Sequence, residues 1–264
     1  MATEKRKVLD AQGRSIGAEW QLDTAHGTVM VFQPEGYSSS DGSVLYVHGY
    51  FDTVLTAWKK HRLPEQFYVS GVKALFIAPE APKSSGDSVK WASLSSLLDT
   101  VAMMTGVRPG DPVVAIGHSA AFETLNKWLP EPRLVHITLL DALYGFAAAF
   151  RDWGNQAGHT MTLLVTKSGA PRTNSEKILP TLFSTVKWAG VPPVYDDFSQ
   201  AAKDAKTLYI VANESHMQLV EGRPGKPIGS WVIPILLRKT PLGGGSLGLF
   251  LLLGAALLGA AVLR

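Results

Sequence analysis

Gly117-His118-Ser119-Ala120-Ala121 is the segment of this chain most clearly shaped for chemistry. It follows the apolar run 112–116 directly and opens a helical stretch, so Ser119 falls on a sharp strand-to-helix turn, the setting a nucleophile elbow requires. Such a turn crowds the backbone, and the small residues Gly117 and Ala121 on either side of the serine relieve the crowding. A serine hydroxyl alone is a poor nucleophile; it needs a base within hydrogen-bond reach and a third group fixing the tautomer of that base. Of the seven histidines, His216 has the right placement, following the last strand-like run after a short loop. His136 sits mid-strand, His26 and His61 flank the early strands, and His159 precedes a strand. His118 is beside the serine but points elsewhere from the turn.

The elements that must position these groups are legible as short, β-rich apolar runs bounded by Gly, Asp and Pro: 43–48, 73–78, 111–117, 134–140, 161–165 and 207–211. Helical spacing fills the intervals Val89 to Thr105, Ala120 to Leu129, Ala142 to Trp153 and Asn174 to Trp188. Alternation of the two predicts an α/β fold: a mainly parallel, twisted sheet with helices on both faces. The runs 18–22 and 29–32 are expected to add antiparallel edge strands. In such a sheet ligands gather at the carboxyl ends of the strands. There the chain places His48-Gly49-Tyr50-Phe51, Pro79-Glu80, His118-Ser119, Asp141 and 213–216.

On these residues the chain resembles the α/β-hydrolase superfamily over roughly Val29 to Val220. The resemblance is carried by the strand ending in His48-Gly49, the elbow 117–121, an acid after a later strand and a histidine after the last, in the order Ser, acid, His. It implies hydrolysis of an ester, thioester or amide, without a metal or other cofactor. In most members the acid follows the strand read here as 161–165, but the following stretch 166–173 holds no carboxylate. Asp141, 22 residues after Ser119, ends the preceding strand and is similar in placement to the acid of pancreatic-lipase-type enzymes. It is the candidate acid; it could instead cap a helix starting at Ala142, and Glu214, Asp196 and Asp197 are alternatives. Acyl transfer builds charge on the carbonyl oxygen, and each amide aimed at that oxygen is worth about 3 kcal/mol in the transition state. One such amide is expected from Ala120, and the resemblance implies the other from Tyr50 or Phe51. His48 is read as bracing that loop.

Between strands 134–140 and 161–165 only about twenty residues intervene, too few for a large cap, so the site is expected to be rather open. Leu143, Tyr144, Phe146 and Phe150, together with Tyr50, Phe51 and Trp58, are candidates for lining an apolar acyl pocket, although an amphipathic helix facing the sheet would use the same residues, and the long connection 167–206 is the place for a lid. The substrate expected is a small-molecule or lipid ester. A non-catalytic binding or scaffold protein of the same fold, or an amidase or peptidase, is the alternative.

Composition agrees with one large core: 264 residues, 46% hydrophobic and 18% charged. A net charge of +3, with no basic run longer than Lys5-Arg6-Lys7, leaves no nucleic-acid footprint. The absence of cysteine excludes disulfides and thiolate chemistry. No metal-binding or nucleotide-binding motif occurs. After Lys239 no charge appears until Arg264, and the apolar run Leu247 to Leu263 has no polar stripe. The expectation is a catalytic body over 1–239, then a Gly-rich tether and a C-terminal apolar helix over 240–264 that anchors the body to a membrane on its cytoplasmic side, the alternative being a soluble cytoplasmic protein whose C-terminal helix packs on the sheet.

Overall fold

The computed structural model describes residues 2–9 and 13–243. These form one ten-stranded sheet: β1 (Ala2–Leu9), β2 (Ser15–Thr24), β3 (Gly27–Pro34), β4 (Ser43–Val47), β5 (Leu75–Pro79), β6 (Val113–His118), β7 (Leu134–Leu140), β8 (Thr160–Val165), β9 (Thr185–Ala189) and β10 (Thr207–Val211). The spatial order is β1-β2-β3-β5-β4-β6-β7-β8-β10-β9. β1, β2 and β3 pair antiparallel, β3 meets β5 antiparallel, and every pairing from β5 across to β9 is parallel.

Side chains of the inner strands alternate between two apolar layers with the period of two that a pleated strand imposes. Val44, Tyr46, Phe76, Val114 and Ile116 face one layer, shared with α1 (Val54–Lys60), α2 (Leu63–Ser70), α7 (Gln200–Asp204), α8 (Gln218–Glu221) and α9 (Val232–Lys239). Leu45, Leu75, Ile77, Val113 and Ala115 face the other, shared with α3 (Leu94–Thr105), α4 (Phe122–Trp128), α5 (Ala147–Asn155) and α6 (Ala170–Ile178). Both faces are covered, which is why these strands read as continuous hydrophobic runs. Local signals set the helix ends: Thr53 and Ser93 accept the Thr56 and Ser96 amides as N-caps, and Gly106 closes α3 in the left-handed conformation.

β4 and β6 are neighbours, yet the helices that follow them lie on opposite faces, α1 on one and α4 on the other. A crevice opens between diverging connections at such a switch point. Gly49 and Ser119 stand on its two sides.

Several expectations are corrected. The stretch 174–188 is not one helix: α6 ends at Ile178, Pro180 interrupts the pattern, and the β-branched Thr185-Val186 start of β9 joins the sheet edge. The connection 167–206 is therefore α6, an edge strand and α7 rather than a lid. Helix α5 begins at Ala147, not Ala142, because Asp141 and Phe146 both take left-handed φ values, 47° and 54°. Strand β1 was not foreseen. The membrane anchor is withdrawn: among the described residues no helix is long and apolar enough to cross a membrane. The apolar stretch Leu247 to Leu263, on which the expected C-terminal helix rests, lies outside the described residues. Up to Leu242 the chain packs on the body, with Thr240 buried and Leu242 against Gly42.

Candidate active site

Strand β6 delivers Ser119 into the crevice. Its φ of 55° is the left-handed backbone that a nucleophile turn demands of a non-glycine residue. Close packing enforces the turn: a Cβ on Gly117 would stand 2.5 Å from Leu125 Cδ1 and 2.8 Å from Ala121 Cβ. Across the crevice, a Cβ on Gly49 would stand 2.6 Å from Ser119 Cβ, so the β4 loop touches the serine through bare backbone. His48, buried at the end of β4, donates from Nδ1 to the Gly49 carbonyl at 2.8 Å and accepts the Ala81 amide on Nε2 at 3.0 Å. It braces the loop.

Asp141 ends β7, one strand beyond Ser119, and is buried. With α5 starting six residues later at Ala147, it caps no helix. Its Oδ2 accepts the His216 Nδ1 proton at 2.8 Å, its Oδ1 accepts the Thr166 amide at 3.0 Å, and the Thr166 hydroxyl lies 3.1–3.2 Å from both oxygens. Burial pushes the carboxyl up, but the His216 and Thr166 hydrogen bonds outweigh it and hold it below its ordinary value. A carboxylate taking the Nδ1 proton leaves Nε2 of His216 as the acceptor, the tautomer a general base needs. Thr166 stands directly after β8, at the position where the superfamily resemblance implies an acid; here it supplies donors to an acid one strand nearer the serine.

His118 does not point away from the site as expected. Its ring lies 4.4 Å from that of His216, centroid to centroid, and its Nε2 donates to the His216 carbonyl at 3.1 Å. Burial, followed by the neighbouring His216, pushes His118 down to about 3, so it remains a neutral donor. The Tyr144 phenol is raised by burial and by Asp141, with the neighbouring Ser119 opposing. Among the described residues no hydrogen bond joins Ser119 Oγ to the His216 ring. Such nucleophile–base bonds are often long before substrate binds.

Two other expectations change. The Phe51 amide donates to the Lys83 carbonyl at 2.9 Å, so it is already engaged and cannot receive an oxyanion. The Tyr50 amide has no acceptor among the described residues. Leu143 is buried in the core and forms no substrate wall, nor do the buried Trp58 and Phe150. The Leu143 carbonyl instead accepts from Asn174 Nδ2 at 2.9 Å, which holds the loop 143–146. Tyr144 and Phe146 are exposed beside Phe122, their ring centroids 6.1 and 5.9 Å from its own. Two of the three alternative acids are engaged elsewhere: Glu214 with Arg223 at 2.7 Å, and Asp196 with Lys203 and Arg238.

A mostly parallel sheet flanked by helices on both faces is shared with solved structures. A cold-adapted esterase from an Arctic intertidal metagenomic library superposes with a TM-score of 0.53 at 13% identity, covering 90% of this chain and 98% of that one. This chain has the α/β-hydrolase fold. A ferulic acid esterase gives a TM-score of 0.51 at 10% identity over 90% of this α/β-hydrolase-fold chain and 99% of its own. No family model matches the chain, and no curated protein matches it in sequence.

Proposed function

We propose that this chain is a serine hydrolase that cleaves carboxylic esters through an acyl-enzyme on Ser119. The observation that carries the reading is the 2.8 Å bond from His216 to a buried Asp141, on the same sheet end as a serine held at positive φ. In the proposed cycle His216 Nε2 takes the Ser119 proton as Oγ attacks the ester carbonyl, and the tetrahedral oxygen is stabilised by the Tyr50 and Ala120 amides. Collapse expels the alcohol, protonated by His216; water, activated by the same imidazole, then releases the acid and regenerates Ser119.

Large apolar side chains exposed at the mouth favour a hydrophobic ester. Phe51, on the β4 loop, is 95% exposed, and Phe146, Tyr144 and Met217 stand on the loops carrying Asp141 and His216. An exposed cluster of this kind marks a binding surface more often than chance, and the two fold neighbours named above are themselves esterases. The test is labelling of the full chain by a fluorophosphonate, with p-nitrophenyl esters of increasing acyl length as substrates. Wild type should label and Ser119→Ala should not, and kcat/KM should rise with acyl length in a way that Phe51→Ser and Phe146→Ser blunt. A folded wild-type chain that neither labels nor hydrolyses any ester would leave a binding protein of this fold as the answer.

A further inference from the structure

The two amides proposed for the oxyanion belong to different elements, Tyr50 to the loop after β4 and Ala120 to the turn after β6, and something must hold them in register. Gly49 touches Ser119 without a hydrogen bond to it, its carbonyl is held by His48 on its own strand end, and the Phe51 amide ties the far side of the loop to Lys83. Phe51 itself has a φ of 65° and an exposed ring, so neither intrinsic preference nor burial of that side chain fixes the turn. The side-chain hydrogen bond that crosses from this loop to the segment carrying Ala120 comes from the hydroxyl of Tyr50, which donates to Glu123 Oε1 on the first turn of α4. Glu123 is four residues after Ser119, on the rigid segment that carries both the nucleophile and the Ala120 amide. We infer that Glu123 is a positioning residue of the oxyanion site, acting through the Tyr50 hydroxyl to set the spacing between the Tyr50 and Ala120 amides. Burial, then the bond to Glu123, pushes the Tyr50 phenol up to about 12, so it stays a donor across the working range.

The inference rests on the proposed esterase function and deepens it. Removing one oxyanion donor outright costs about 10²–10³ in kcat; letting one drift should cost a part of that, roughly tenfold. Tyr50→Phe and Glu123→Ala should therefore each lower kcat on a p-nitrophenyl ester about tenfold with KM unchanged, and the double variant should be no worse than either single one. Binding of a trifluoromethyl ketone, whose adduct carries the oxyanion, should weaken by the same factor as kcat. Glu123→Gln keeps an acceptor for the phenol and should recover most of the activity. Thermal unfolding of each variant separates this from a folding defect, and Tyr50→Phe keeps the ring. If wild type labels with fluorophosphonate but the variants stay within twofold in kcat and ketone affinity, or lose KM alone, the clamp is refuted and the esterase stands. A folded wild-type chain that never labels refutes both.

Discussion

Asp141→Asn tests the arrangement at its most constrained point. At a φ of 47° asparagine is one of the few residues tolerated without added strain, so the fold should persist. The two carboxylate oxygens are not equivalent in what they face. Oδ1 accepts the Thr166 backbone amide at 3.0 Å, a donor that cannot change its sense. An asparagine must put its carbonyl oxygen there, which turns its NH₂ toward His216 Nδ1, 2.8 Å from Oδ2 in the wild type. A donor facing Nδ1 drives the proton to Nε2, and the nitrogen that should take the Ser119 proton becomes a donor itself. In a protease triad the same change costs about 10⁴ in kcat through the wrong tautomer, equivalent to about 5.4 kcal/mol of barrier. The assay is kcat on a p-nitrophenyl ester, together with the rate of fluorophosphonate labelling and a thermal melt. Both rates should fall by three to four orders of magnitude, taken as roughly the triad value, with the melting temperature little changed. A kcat within tenfold of wild type, in a folded variant, would show that another group orients His216.

Two further outcomes follow from the packing. Gly49→Ala puts a Cβ 2.6 Å from Ser119 Cβ and 3.2 Å from the His118 carbonyl, so it should destabilise by about 1–3 kcal/mol in chemical denaturation and cut kcat/KM at least tenfold; wild-type behaviour would mean the β4 loop and the elbow are not in contact. His118, pushed down to about 3 from 6.5, resists a proton that the unfolded chain accepts, so its share of stability is intact above pH 6.5 and is lost progressively as pH falls toward 3. His118→Gln, which keeps a donor for the His216 carbonyl, should therefore show a flatter fall in melting temperature between pH 6.5 and 4 than wild type, and parallel curves would contradict the burial of a neutral imidazole.

What the sequence revealed of this site was whatever depends on local pattern. The turn at Ser119 was visible because a strand, a small-residue turn and a helix must be contiguous, and the six inner parallel strands because burial on both faces forces short uninterrupted apolar runs. Where two local patterns competed, the reading failed. Residues 174–188 carry helical spacing on both sides of Pro180, and four of the five residues of β9 are hidden inside it. The apolar residues after Asp141 looked like the start of α5, because nothing local announces that Asp141 and Phe146 adopt left-handed backbone. Leu143, apolar and close after Asp141, reads as pocket lining, yet it is buried in the core.

The partners that define the site had no local signal at all. Thr166 meets Asp141 across 25 residues, Tyr50 meets Glu123 across 73, and His118 meets the His216 carbonyl across 98. Yet the missing carboxylate after β8 was itself informative. A buried acid on β7 needs donors on the side away from His216, and β8 is the strand that adjoins it there. A residue offering both an amide and a hydroxyl at the end of β8 satisfies that need, whereas a second carboxylate would repel the first. The acid one strand nearer the serine and the threonine beyond it are thus two halves of one arrangement: moving the charge to β7 requires that β8 end in a donor.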